Sequence, residues 1–248
     1  MDIDLKFDHR KAKIDFWREK LNSAILSTGQ FHNVDDIEKL SGGYSHFNYK
    51  FTSEKHQFVL RVSDKSEREF IAENSILKRL KNVVPAPRVT FAQLNNPILG
   101  KHISIQKYVP GILLSKAEES VSESEIVSIG YQLGHIMADI HSFEFNESGF
   151  LGSNMEVVEP FQSFEVGYFG YMDSFLKNPL LAERIGLELS EGLVEYVHKN
   201  DIIRKSLTQT KCLTHSDFNK KIYWFVNQKE VGRYLLFWIG SLPIQDVP

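Results

Sequence analysis

The sequence has little of several features that would assign a protein to a class at once. It contains one cysteine, Cys212, in 248 residues, which excludes an internal disulfide and favours a reducing compartment. No apolar run reaches the roughly 18 residues that span a bilayer, and the first residues have no signal-peptide character. Acidic and basic residues nearly balance, at 32 and 29. We therefore expect a soluble cytoplasmic protein that binds neither nucleic acid nor membranes.

The sequence also lacks the Gly-x-x-x-x-Gly-Lys-Ser/Thr motif, so a P-loop ATPase is excluded as far as motifs allow. Instead it has a stretch over 213–221 in which His215 precedes Asp217 after an apolar lead-in. Kinase catalytic loops place an aspartate in this way to accept the proton of the hydroxyl being phosphorylated. Their pattern continues with a metal-binding asparagine five residues after the aspartate, where this sequence has Ile222.

Two weaker motifs precede that loop. The pair Gly42-Gly43 lies between two predicted strands, and backbone N–H groups at such a turn can converge on a phosphate. On this motif alone a plain hairpin turn is the favoured interpretation. Arg61 is the one cation in the apolar strand Phe58–Val62 and could meet phosphate oxygens. Taken alone, it is better interpreted as a surface residue of an edge strand.

Hydrophobic periodicity places these motifs on regular elements. It predicts helices over 8–28, 67–80 and 126–141 and a mainly helical region over 155–210. It predicts strands over 37–51 (with the glycine turn), 58–62, 89–92 and 102–107. Between these elements it predicts a break at 108–111 and a turn at 150–152. The prolines of Val84-Pro85-Ala86-Pro87 end the second helix. Glu73 lies within that helix and could pair with Arg61, although a solvated glutamate is the competing interpretation.

Together these motifs, in this order, resemble the aminoglycoside phosphotransferase family over about residues 35 to 221. The most specific pieces are Leu40-Ser41-Gly42-Gly43, Val84-Pro85-Ala86-Pro87 and Leu213-Thr214-His215-Ser216-Asp217-Phe218-Asn219. The resemblance implies an α+β, protein-kinase-like, two-lobed fold. Residues 1–107 would form an N-lobe with an antiparallel sheet and one helix. Residues 108–248 would form a mainly helical C-lobe that carries the catalytic loop 213–221 and lacks its C-terminal part.

Site residues follow from the resemblance position by position. Asp217 would be the catalytic base, and His215 would brace its loop. ATP would be held by Ser41, Gly42, Gly43, Tyr44, Ser45, Arg61, Glu73, Gln106, Tyr108 and Val109. Arg61 departs from the family's lysine, and a planar fork does not bind phosphate as a point charge does. Magnesium is the family's metal, yet Ile222 replaces its asparagine and no Ile-Asp-Trp-Glu-type segment supplies its aspartate.

The resemblance implies an ATP-dependent phosphotransferase that transfers the γ-phosphate to a hydroxyl of a small molecule. Acidic side chains among aromatics in 155–210 suit a cationic acceptor, such as an aminoglycoside or another amino alcohol, although solvated charges over an aromatic core are the competing interpretation for each residue. Two alternatives stay open. One is a catalytically impaired remnant or pseudokinase that binds nucleotide without transferring phosphate. The other is a non-enzymatic helical interaction module whose short motifs are coincidental.

A shift of reading frame would account for both missing metal ligands. Asn219-Lys220-Lys221 can be encoded by AAC AAA AAA. With one A restored, and depending on codon choice, the stretch from Lys221 can be read as K-N-I-L-V, and the stretch from the last base of the Leu235 codon can be read as A-I-L-D-W-E-F-A-Y-S-G-C-P. Residues 222–248 would then be the product of the shifted frame.

Overall fold

The computed structural model describes residues 17–40, 46–114, 121–160, 174–200, 210–214, 223–228, 232–237 and 243–247. Contacts divide the chain into two units. The first comprises Met1–Phe70 and Arg88–Val109, and the second comprises Ile71–Pro87 and Pro110–Pro248. The lobe boundary predicted at residue 107 stays a prediction.

The first unit is built on a five-stranded antiparallel sheet with the strand order β1-β2-β3-β5-β4. Its strands are β1 (Asp35–Lys39), β2 (His46–Ser53), β3 (His56–Ser63), β4 (Val89–Asn96) and β5 (Lys101–Lys107). Helix α1 (Arg18–Leu26) precedes them. The strands predicted on either side of the glycine turn pair antiparallel, as do the other predicted strands of this unit.

One face of this sheet is apolar and forms the core of the unit. Because side chains alternate along a strand, Tyr49, Leu60 and Ile105 share this face across three paired strands. Leu60 and Ile105 are 0% exposed. The apolar side of α1 covers this face with Leu21, Ala24 and Ile25, which are buried in the same cluster. This packing stabilises the sheet through removal of apolar area from water.

The opposite face is polar and also buried. Asn48 of β2 is directly opposite Arg61 of β3, and Arg61 is directly opposite Ser104 of β5. Their exposed fractions are 6%, 3% and 2%. The interpretation of Arg61 as a surface residue of an edge strand is therefore wrong, because β3 is the middle strand of five. A single strand sequence does not show how many neighbours will pair with it.

Helix α2 (Glu67–Leu80) has the bounds that the sequence predicts. Ser66 and Glu69 cap its first turn reciprocally, because the Ser66 N–H donates to Glu69 Oε2 at 3.0 Å and the Glu69 N–H donates to Ser66 Oγ at 3.4 Å. In its first turn Phe70 packs against the ring of His102, with centroids 5.1 Å apart. The helix ends before Val84, ahead of the prolines.

The second unit contains α3 (Glu123–His141), α4 (Pro179–Ile185), α5 (Leu187–Lys199) and two small sheets. The strands are β6 (Ile112–Leu113), β7 (Glu144–Phe145), β8 (Gly149–Leu151), β9 (Val157–Pro160), β10 (Thr210–Leu213), β11 (Tyr223–Gln228), β12 (Gly232–Phe237) and β13 (Pro243–Val247). Their orders are β7-β10-β13-β8-β9 and β12-β11-β6. Within the described ranges, no helix is long and apolar enough to cross a membrane.

The turn predicted at residues 150–152 is wrong in its first two residues, which belong to β8. Gly152 suggested a turn at this stretch, whereas β8 pairs with the next strand, β9, and with β13, which is distant in sequence. Gly149, the first residue of β8, has to be a glycine because a Cβ there would collide with the carbonyl oxygen of Glu159 on the neighbouring strand β9.

Candidate active site

The predicted catalytic loop starts from a buried, anchored strand. Strand β10 pairs with β7 and β13, and the Leu213 N–H also donates to the Phe143 carbonyl at 2.9 Å. Leu213 is 0% exposed, and the thiol of Cys212 is buried beside it. His215 and Asp217 follow directly and lie outside the described residues. The local fold therefore fixes where this loop begins.

The glycine turn is held at both of its ends. The Leu40 N–H donates to the Asn48 carbonyl at 2.8 Å, and Lys39 is directly opposite Tyr49. Residues 41–45, which include the predicted phosphate-binding Ser41, Gly42, Gly43, Tyr44 and Ser45, lie outside the described residues. The strands on either side therefore bring the two ends of the turn together at the end of the sheet nearest His46.

Arg61 lies on the buried polar face of the first unit. A guanidinium there presents several N–H donors in one plane, which suits the oxygens of a phosphate or a carboxylate. Glu73 lies on α2 in the second unit and is 5% exposed. Its pairing with Arg61 stays a prediction.

The segment predicted to hold the base uses several of its backbone groups internally. Gln106 pairs with Val59 and Val89 in the sheet. The Lys107 N–H donates to the Arg88 carbonyl at 3.1 Å, and the Tyr108 N–H donates to the Gln57 carbonyl at 3.0 Å. The role of Gln106, Tyr108 and Val109 in holding the base stays a prediction.

Lys50 and Asn48 are polar residues of this region that the sequence analysis did not select. Both lie on the face of the sheet that carries Arg61, since they alternate with Tyr49 along β2. Lys50 Nζ is 3.1 Å from Glu38 Oε2 and 5.3 Å from the centre of the Tyr108 ring. Counting alternate positions back from the hairpin at Ser53–His56 could have found them.

The magnesium ligands that the family pattern expects are incomplete in this sequence. Position 222 is isoleucine, whose side chain has no ligand atom. Among the described residues, no group of three or more His, Cys, Asp or Glu side chains could hold a metal ion. We therefore derive no step of the chemistry through a metal.

Two groups outside the predicted site, Glu69 and His141, have a lowered pKa. The hydrogen bond from the Ser66 side chain lowers the pKa of Glu69, because it stabilises the carboxylate. Burial lowers the pKa of His141, at the end of α3, because it disfavours the charged imidazole. Neither group is a predicted site residue, so both shifts report on stability.

Comparison with known proteins decides the family. A model of the phosphotransferase enzyme family (APH) matches residues 36–221, which include the glycine turn, Arg61 and the His215–Asp217 loop. The chain belongs to this family. No curated protein matches the chain.

Solved structures show the fold of this phosphotransferase-family chain. A variant of aminoglycoside 2′-phosphotransferase-IIIa in complex with GDP is 16% identical with a TM-score of 0.64, covering 93% of this chain and 74% of that one. A thermostable aminoglycoside phosphotransferase APH(4)-Ia with AMP-PNP and hygromycin B is 14% identical with a TM-score of 0.62, covering 92% and 73%. The gentamicin complex of APH(2'')-IIa is 18% identical with a TM-score of 0.56, covering 94% and 73%. The predicted protein-kinase-like α+β fold is confirmed.

Proposed function

We propose that the protein is a nucleoside-triphosphate-dependent phosphotransferase that uses ATP and phosphorylates a hydroxyl of a small cationic molecule. The observation that carries the proposal is the burial of Arg61 on the polar face of the amino-terminal sheet, in a phosphotransferase-family chain. The planar fork of a guanidinium suits the oxygens of a triphosphate, and the γ-phosphate is the group that a phosphotransferase transfers.

In the proposed reaction, Asp217 takes the proton of the acceptor hydroxyl as its oxygen attacks the γ-phosphorus. The new oxygen–phosphorus bond forms while the bond to the β–γ bridging oxygen breaks, and ADP leaves with that electron pair. His215 holds the loop of Asp217. Residues 41–45 and Arg61 hold the phosphates, and the Val109 backbone holds the base. Positioning supplies much of the rate, since a bound hydroxyl reacts as if at very high concentration.

A cationic acceptor is supported by an acidic face on α5. Glu188, Glu191 and Glu195 recur at helical spacing and are all exposed. The structural neighbours named above include proteins bound to hygromycin B and gentamicin. We therefore propose an aminoglycoside or a related amino alcohol as the acceptor class.

A second candidate function has a specific observation in its favour. Ile222 stands where the phosphotransferase pattern places a metal-binding asparagine. A chain without that ligand loses charge neutralisation at the transferring phosphoryl group, which carries much of the catalysis. The second candidate is therefore a pseudokinase that binds nucleotide without transferring phosphate. The family match gives no support to a helical interaction module.

Two measurements on the purified full chain test these proposals. Thermal unfolding with increasing ATP should show a rising midpoint, since a ligand at a hundred times its Kd stabilises by about 2.7 kcal/mol. ADP release with an aminoglycoside panel should then separate enzyme from pseudokinase. Any turnover should disappear in Asp217→Asn, which keeps the shape of the side chain and removes the base. Absence of both nucleotide binding and turnover would overturn the proposed function.

A further inference from the structure

Three side chains of the first unit form a cluster beside the end of β5. Lys50 of β2 is directly opposite Glu38 of β1, and its Nζ is 3.1 Å from Glu38 Oε2. The same Nζ lies over the ring of Tyr108, 5.3 Å from the ring centre. A cation within about 6 Å of an aromatic ring centre is attracted to the face of the ring. The cluster therefore joins β1 and β2 to the residue that follows β5.

The register of the sheet explains how Lys50 reaches this ring. Lys50 is directly opposite Val59 of β3, and Val59 is directly opposite Gln106 of β5. Tyr108 is two residues beyond Gln106, so it belongs to the same face of the sheet as Lys50. The two long side chains therefore reach towards each other across β3.

Tyr108 is the residue at which the chain leaves the sheet. Its N–H donates to the Gln57 carbonyl at 3.0 Å, which extends the pairing of β3 with β5 by one residue. Val109 follows as the last residue of the first unit, and its backbone holds the base in the function proposed above. The contact with Lys50 gives Tyr108 a second attachment. One backbone hydrogen bond and one side-chain contact therefore set the direction in which the chain enters Val109.

Such an attachment affects binding because it removes freedom before the ligand arrives. A site whose binding-competent conformation is only partly populated binds with an affinity reduced by that fraction. Holding Tyr108 leaves less ordering for the nucleotide to impose on the next residue. The ion pair alone contributes little, since the Glu38 side chain is 56% exposed.

We propose that Lys50 is a positioning residue that holds Tyr108, and through it the Val109 backbone, ready for the base of the nucleotide. This inference rests on the proposed nucleotide site. Lys50 acts through the ring of Tyr108 and not through its charge on the phosphates, which Arg61 and residues 41–45 hold. It should therefore matter for a ligand that has a base and not for a bare chain of phosphates.

The test compares the full-length wild type with Lys50→Met, which has an unbranched side chain without the cation. Binding of ATP and of inorganic tripolyphosphate is measured by calorimetry. Lys50→Met should weaken ATP binding about 2- to 5-fold, the range expected for one cation–π contact, and leave tripolyphosphate binding unchanged. Lys50→Arg puts a cation back over the ring and should recover the affinity for ATP.

Tyr108→Leu and the double variant complete a double-mutant cycle. Tyr108→Leu removes the ring that Lys50 contacts, so it should weaken ATP binding as well. Without the ring, Lys50 has nothing to hold. Adding Lys50→Met to Tyr108→Leu should therefore cause no further loss of affinity.

Lys101→Met is the matched control. Lys101 is a lysine at the opposite end of β5 and forms an ion pair with Asp64. The control removes the same charge from the same sheet, away from Tyr108. It should leave the affinities for ATP and tripolyphosphate unchanged.

The results separate the possible failures. If Lys50→Met weakens ATP and tripolyphosphate equally, or weakens neither, the inference is wrong while the proposed function stands. Additive losses in the double variant would also refute it, and they decide the matter alone if tripolyphosphate binds too weakly to titrate. If the wild type does not bind ATP, the proposed function fails and this inference fails with it.

Discussion

At the scale of single residues, this chain has Arg61 at the position where the resemblance implies a phosphate-binding lysine. It lies between Asn48 and Ser104 on a buried face, so its guanidinium has little freedom to reorient. A planar fork held in this way can bind two phosphate oxygens at once, whereas an ammonium binds as a point charge. Arginine and lysine should therefore not be interchangeable at this position.

We predict that Arg61→Met weakens ATP binding about 10- to 100-fold, because hydrogen bonds to charged groups contribute about 1.5–3 kcal/mol. Arg61→Lys should recover only part of this loss, because it restores the charge without the fork. Calorimetric titration with ATP measures both effects, and circular dichroism checks that each variant is folded. Unchanged ATP affinity in a folded Arg61→Met protein would remove Arg61 from the site.

A second residue-scale prediction concerns His141 and pH. Its folded pKa is lowered by burial, whereas the ordinary value is 6.5. Below that value the unfolded chain binds the proton first, so the free energy of unfolding falls as pH decreases towards the folded pKa. Above it this group adds no pH dependence. Urea unfolding between about pH 7.5 and about pH 5.5 should therefore show a smaller loss of stability in His141→Gln than in the wild type.

His135→Gln is the control for that experiment, because His135 is an exposed residue on the same helix. It should follow the wild-type pH dependence. If the two variants behave alike, burial of His141 does not govern stability in this range.

At the scale of elements, α2 shows what local sequence signals can specify. Its bounds were predictable because Ser66 and Glu69 form a capping box and prolines follow its end. By contrast, β8 was not predictable from its own residues, since one of its two partners, β13, comes from a distant part of the chain. The burial of Arg61 likewise depends on β2 and β5 pairing on both sides of β3. Pairing between strands is the information that local patterns lack.

The capping box gives an element-scale prediction. Ser66→Ala should destabilise the protein by about 1 kcal/mol, because the Glu69 N–H loses its acceptor and Glu69 loses its side-chain donor. It should also bring the pKa of Glu69 back towards its ordinary value, since the Ser66 hydrogen bond is the largest cause of the lowered pKa. In the wild type this contribution is present above about pH 4.5 and is lost as pH falls through the lower folded pKa. Chemical denaturation and carboxyl NMR titration measure the two effects.

Ser66→Thr preserves the hydroxyl and serves as the matched variant. Its stability should stay close to that of the wild type, and so should the titration of Glu69. Equal losses in the alanine and threonine variants would mean that the serine contributes through its size and not through its hydrogen bonds.

At the scale of the whole molecule, the family match ends at residue 221, the last lysine of Asn219-Lys220-Lys221. Both expected metal ligands are missing beyond this point, and restoring one A in the lysine codons can supply an asparagine at position 222 and, depending on codon choice, an Asp-Trp-Glu segment downstream. The aspartate of that segment is forced, because Trp238 is TGG and Ile239 begins AT, which together read GAT in the restored frame. We therefore predict that the coding DNA carries a one-base deletion near codons 220–221, or that its sequence contains an error there. Sequencing codons 215–248 tests this directly, and a neighbouring frame without phosphotransferase-like sequence would refute it.

If the restored frame is found, the protein expressed from it should show magnesium-dependent ATP turnover well above that of the present chain, because the phosphoryl group would regain its charge neutralisation.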